Sequence, residues 1–259
     1  MTKNPNMMSK FFLISLLLLG ITACKTEKKE DKKEPMAEAT AAQDPADDWT
    51  YLFDGSSTEG WRAYNGDSLP AKWVIEDGVL TFDTEKRTEA DKKGGNDIIY
   101  AAEKFDNFEL AWEWKLPKGG NSGLLYHIRE GDWSLPETSP EYQMLDDLGW
   151  EKINNAKLEP WQKTGADYAM YPPDENKKIV KPAGEWNTSR IRFTPELVEH
   201  WLNGKKILSF VPWSKDWEKR KSEGKWKDSP KYGTFKSGYI GLQDHDSPLW
   251  FRNIKIKKL

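Results

Sequence analysis

From residue 49 to the C-terminus, apolar side chains recur along the chain with a period of two. Phe108, Leu110, Trp112 and Trp114 alternate with Glu109, Ala111, Glu113 and Lys115, the pattern of a strand with one bulky buried face. Trp73 to Phe82 reads as two strands around an Asp77-Gly78 turn, a pair that adopts positive φ at low cost. Further strands are expected at Leu124 to Arg129, Tyr142 to Leu145, Arg190 to Phe193, Val198 to Phe210 around Asn203-Gly204, Tyr239 to Gln243, and Trp250 to Ile256. Only Ser214 to Lys225 carries a helical pattern. There is no internal repeat and no second boundary, so residues 49–259 form one all-β domain. Many short strands with turn signals between them indicate a jelly-roll sandwich of two antiparallel sheets.

The first 48 residues follow other rules. Met1 to Lys10 holds two lysines and no acid, and Phe11 to Ala23 is almost wholly apolar yet too short to span a bilayer. Residues 1–23 therefore read as a secretory signal. Ile21-Thr22-Ala23 precedes Cys24, the single cysteine of the chain, and the four together resemble the bacterial lipobox, in which the cysteine is lipidated. Cys24 is the expected lipid anchor, which places the mature protein on the bacterial outer membrane, bound to it through the lipid alone. Residues 24–48 are charged, rich in Ala and Pro and free of aromatic residues, so they read as a disordered tether. One cysteine excludes a disulfide framework and any CxxC metal site. A net charge of -3 gives no bulk attraction to nucleic acid, and none is expected as a partner.

Alternation also says what the outer face of each strand carries. With Leu124, Tyr126 and Ile128 inward, His127 and Arg129 point outward together. With Tyr142 and Met144 inward, Glu141 and Gln143 share the outer face, and with Ile240 and Leu242 inward so do Gln243 and His245. A solvated sheet face explains any one pair. It explains all three less well, because two of the three histidines fall in them. Asn121 and Ser122 lie within a run of glycines that permits close approach of a ligand to the backbone. Asp146, five residues after Glu141, adds a carboxylate that can raise a neighbour's pKa, or hold a divalent cation through oxygen with His127 or His245. Trp150 and Tyr168 belong to a long irregular stretch whose aromatic rings can stack on sugar faces.

The ordered landmarks Leu52-Phe53-Asp54-Gly55, Trp73-Val-Ile-Glu-Asp-Gly78, Trp112-Glu-Trp114, Gly120-Asn-Ser-Gly123, Glu141-Tyr-Gln-Met-Leu-Asp146, Gly184-Glu-Trp-Asn187, His200-Trp-Leu-Asn-Gly204, Gly241-Leu-Gln-Asp-His245 and Phe251-Arg-Asn-Ile254 resemble the 3-keto-disaccharide hydrolase family. The resemblance covers the whole folded part. It implies a concanavalin A-like jelly roll with its site on the concave sheet, acting on glycosides whose C3 hydroxyl has been oxidised to a ketone. Such a ketone acidifies the C2 hydrogen, so the bond at C1 can break by elimination, followed by water addition. On the strand pattern, Glu141 is the expected base, His127 or His245 a proton donor or metal ligand, and Asp146 a further acidic partner. Arg129, Gln143, Gln243, Asn121, Ser122, Trp150 and Tyr168 are expected to bind substrate. The alternatives are a non-catalytic, lectin-like carbohydrate-binding module and, behind it, an ordinary two-carboxylate glycosidase.

Overall fold

The structure is a computed structural model and describes residues 48–86 and 95–259. The expected signal peptide, the expected lipid anchor Cys24 and all of the expected tether except Asp48 lie outside the described residues. The strands are β1 (Thr50–Phe53), β2 (Trp61–Ala63), β3 (Trp73–Glu76), β4 (Val79–Phe82), β5 (Ile98–Phe105), β6 (Phe108–Lys115), β7 (Asn121–Ile128), β8 (Glu141–Leu145), β9 (Asn187–Phe193), β10 (Val198–Leu202), β11 (Lys205–Phe210), β12 (Gly238–Leu242) and β13 (Leu249–Lys258). Two helices, α1 (Asp147–Asn154) and α2 (Lys215–Glu223), interrupt them. The strands form an eight-stranded antiparallel sheet, in the order β11-β10-β9-β6-β13-β4-β3 with β1 also on β13, and a five-stranded one in the order β2-β5-β12-β7-β8. This is the jelly-roll sandwich that the alternation indicates.

The two sheets meet through the residues of period two. β6 is buried at every second position, and its Trp112 packs edge-on against Tyr142 of β8 at 4.9 Å while its indole N–H approaches the Met144 sulfur at 3.3 Å. Phe108 meets Tyr126 of β7 edge-on at 5.9 Å. Each such ring contributes on the order of 2–3 kcal/mol by leaving water, provided its polar atom is satisfied. Here the indole N–H of Trp114 donates to Ser189 Oγ, Ser189 donates to the Tyr142 hydroxyl, and that hydroxyl donates to the Trp201 carbonyl. The hairpin turns are as expected: Asp77 and Gly78 have φ of 51° and 75°, Asn203 and Gly204 45° and 79°.

The fold departs from the pattern in three places. Strands β1, β2 and β5 form from segments with weaker alternation. A second helix, α1, follows β8 although Gly149 and Asn154-Asn155 favour a loop. Gly149 is required there because a Cβ would collide with the Asp146 carboxylate, and Asn155 ends the helix in the left-handed region at φ 47°. Most consequential, β7 carries a bulge: His127 has φ 54°, and the pairing with β12 slips between Tyr239↔Ile128 and Gly241↔Leu125. Tyr126 and His127 therefore both face the core, and every residue after them exchanges faces.

Candidate active site

The outer face of the five-stranded sheet carries Glu141, a buried carboxylate at the end of one row of paired residues. Strand pairing lays Arg62, Ile99, Gly241, Leu125 and Glu141 across neighbouring strands in one row. Glu141 is the last of them on β8. Beyond β8, residues 165–168 extend the sheet: Gln143 N–H donates to the Ala166 carbonyl, and Tyr168 N–H to the Glu141 carbonyl at 3.0 Å. Tyr168 is thus Glu141's direct neighbour on the same face. The adjacent row holds Gln243, Gly123 and Gln143, and Asp97 lies just ahead of β5. Gly123 is needed at the centre, since a side chain there would strike the Glu141 carboxylate.

Glu141 is only 4% exposed, and its carboxylate accepts no hydrogen bond from the described residues. Burial is the main reason that its pKa is pushed up to about 8; the Lys225 ammonium pulls it down and the Asp97 charge pushes it further up. Asp97 accepts a hydrogen bond from the Asp244 N–H at 2.8 Å, and loss of water around it raises its pKa to about 7. Asp167, opposite Tyr142 on the inner face, is fully buried with both carboxylate oxygens unpartnered, and burial raises it well above the usual range. Lys225, from the loop after α2, donates to the Tyr168 hydroxyl at 2.9 Å. Trp161 packs edge-on against Tyr168 at 5.7 Å, and Trp226 does so at 6.3 Å. The result is a wall of rings and one cation beside a poised carboxylate.

Of the residues singled out from sequence, the structure brings Glu141, Gln143, Gln243 and Tyr168 onto this face. It does not bring His127. The bulge turns that ring into the core against Phe193 at 4.4 Å, where a nitrogen meets the Asp106 carbonyl at 2.8 Å, and burial lowers its pKa to about 4. The expected outward pairing of His127 with Arg129 is therefore corrected. Arg129 donates to the Ser237 carbonyl and hydroxyl and fixes the chain before β12. Asp146 caps the glycine loop by accepting from the Gly119 N–H at 2.8 Å, so the acidic neighbour of Glu141 is Asp97 instead. Ser122 is fully buried and donates to the Gln243 carbonyl. Asn121 is tied by its backbone to Ser247 while its side-chain oxygen is buried and unpartnered. Trp150 lies on α1, past the end of β8, and His245 is exposed in the loop after β12. Asp146, His127 and His245 do not assemble as metal ligands, and among the described residues no group of three His, Cys, Asp or Glu side chains is arranged to hold a metal ion.

Asp97 and Lys225 were not expected at the site, whereas Trp161 belongs, with Trp150 and Tyr168, to the irregular stretch whose rings were expected to meet sugars. Asp97 has a signal in the sequence, since it shares the parity of Ile99, whereas Lys225 reaches the site from a helix end with no local mark.

Residues 48–257 match the family described as the 3-keto-alpha-glucoside-1,2-lyase-like domain. The chain belongs to that family. It is 36% identical over 239 residues to a protein of Bacteroides thetaiotaomicron named 3-keto-disaccharide hydrolase, covering 83% of this chain and 79% of the relative. A crystal structure of a candidate glycosyl hydrolase from Parabacteroides distasonis ATCC 8503 superposes with a TM-score of 0.73 at 42% identity, over 82% of this chain and 94% of the other. A second such structure from the same organism gives 0.56 at 30% identity, over 77% and 99%. The family match spans both sheets, including every residue of the Glu141 face.

Proposed function

We propose that this protein cleaves 3-keto-glycosides, 3-keto-disaccharides among them, by removing the C2 proton, eliminating the group at C1 and adding water to the resulting enone. Membership of the family supports the substrate class. The observation that carries the chemistry is the buried Glu141 carboxylate, without a hydrogen bond from the described residues, whose raised pKa suits a base acting on a carbon acid next to a ketone. Gln243 lies on the same face, where its amide can hold a sugar hydroxyl or the enolate oxygen, whereas the Gln143 amide donates to the Gln162 carbonyl and accepts from the Met144 N–H and so braces the site. A titrating group enclosed in this way is more than sugar binding alone requires.

The test is incubation with a glucoside and with its 3-keto form in deuterated water. Turnover of the keto form alone, with deuterium at C2, is the expected result. Turnover of the plain glycoside would point to an ordinary glycosidase, and binding without turnover to a lectin-like module. We also propose that Cys24 anchors the protein by a lipid to the bacterial outer membrane. Replacing Cys24 with Ala should release it from sedimented membranes, and retention of the variant would exclude the anchor.

A further inference from the structure

Elimination from C1 needs an acid for the departing oxygen, and neither histidine considered from sequence stands beside Glu141. His127 is in the core, and His245 follows β12, two strands from β8. Tyr168 is Glu141's direct neighbour. We propose that the Tyr168 hydroxyl protonates the leaving glycosidic oxygen, with Lys225 as the residue that positions it. This inference rests on the reaction proposed above.

The direction of one hydrogen bond carries the argument. An ammonium has three N–H donors and no acceptor, so the 2.9 Å contact must run from Lys225 to the phenol oxygen. The phenol's own hydrogen is then left over, and it donates to no acceptor among the described residues. As that hydrogen departs, the charge developing on oxygen faces the ammonium that already holds it. The ring itself has little freedom. Trp161 and Trp226 flank it, and the Trp226 indole N–H donates to the Tyr168 carbonyl at 3.3 Å. Lys225 also lies 4.3 Å from the Tyr168 ring centre and 5.0 Å from that of Trp226, so both rings fix its ammonium.

The steps balance. Glu141 takes the proton from C2, and the C–H electron pair becomes the enolate of the C3 ketone. The enolate returns its electrons to form the C1–C2 double bond as the C1–O bond breaks, and the leaving oxygen takes the Tyr168 proton. In the second half, water adds to C1 and gives its proton to the phenolate, while Glu141 returns a proton to C2. One water is consumed, and both side chains end as they began.

The experiment compares two 3-keto-glucosides: one with a 4-nitrophenol leaving group, which departs as a stable anion, and one with a second sugar. Tyr168→Phe should lose about a hundredfold or more in kcat on the disaccharide, less than tenfold on the nitrophenyl substrate, and should still exchange the C2 hydrogen with deuterated water on both. Retained exchange also shows that the variant folds. Lys225→Met should shift the leaving-group dependence in the same direction by less, with partial rescue by Lys225→Arg. Equal losses on both substrates, loss of C2 exchange together with cleavage, or no loss at all would each overturn the assignment. If the unaltered protein turns over neither substrate, the reaction itself is wrong and the inference falls with it.

Discussion

The two outer faces of the sandwich rest on the same alternation and differ in one carboxylate, for the five-stranded sheet also pairs Arg62 with Glu130 yet leaves Glu141 without a partner among the described residues. On the eight-stranded sheet the carboxylates are paired. Glu113 takes two hydrogen bonds from Arg252 at 2.7 and 2.8 Å, Glu109 sits between Arg190 and Arg192, and Glu199 holds Lys206 at 2.7 Å. The cations also cover the aromatic rings there: Arg252 lies 4.1 Å over Trp186 and Arg190 4.2 Å over Trp201. On the five-stranded sheet Glu141 has no such partner, and the Lys225 ammonium that its charge feels is bonded to Tyr168. A paired charge on a wet surface contributes little to either stability or chemistry. An unpaired one enclosed by protein is costly to fold around and is thereby reactive. Half-buried tryptophans on both faces look alike in the sequence, but those of the first face are shielded by cations, whereas Trp161 stands against Tyr168.

That contrast is open to measurement. The largest effect should come from Glu141→Gln, which should reduce kcat/KM on a 3-keto-glucoside by about 10²- to 10⁴-fold; a loss below tenfold would mean that the base lies elsewhere. Next is the pH profile of the unaltered protein. A base with its pKa near 8 in the free protein should give kcat/KM rising about tenfold per pH unit up to that point and levelling above it, and a profile already flat from pH 6 would remove the raised pKa.

Stability should move the other way. The folded carboxyl holds its proton up to about pH 8 while the unfolded one releases it near 4.5, so the native state loses stability as pH climbs through that window. Glu141→Gln escapes the loss and should be the more stable protein at pH 9, by on the order of a few kcal/mol, with the advantage gone at pH 4; denaturant titrations at both pH values read it directly. His127→Ala should cost about 3 kcal/mol through the cavity it leaves, yet leave turnover per folded molecule unchanged, and a selective loss of kcat would return that histidine to the site. The smallest effect is expected on the paired face, where Arg252→Ala should cost under about 1 kcal/mol and leave kcat/KM as it was.

The legibility of the sequence follows the same division. Strong alternation was sufficient for β6, and the Asp-Gly and Asn-Gly turns placed their hairpins, because in each case neighbouring residues alone decide the conformation. Glu141, Gln143 and Gln243 were readable as outward residues since β8 and β12 keep a strict period there. His127 was not. A bulge is set by how β7 must meet β12, and nothing in Leu-Leu-Tyr-His-Ile announces the extra residue. The role of Asp146 was misplaced because its partner, the Gly119 N–H, lies 27 residues earlier. Lys225 is 57 residues from Tyr168 and reads in the sequence only as the end of a helix, so only the tertiary fold reveals the pair.

The segment that carries Tyr168 has a second consequence. β8 is the last strand of its sheet, and a bare edge of that kind invites pairing with another copy of the same strand. Residues 165–168 occupy the backbone groups of Glu141 and Gln143 and close that edge. Exchanging this segment to alter which sugars are accepted would therefore also unmask a sticky strand, and variants built that way should be checked for self-association before their kinetics are compared.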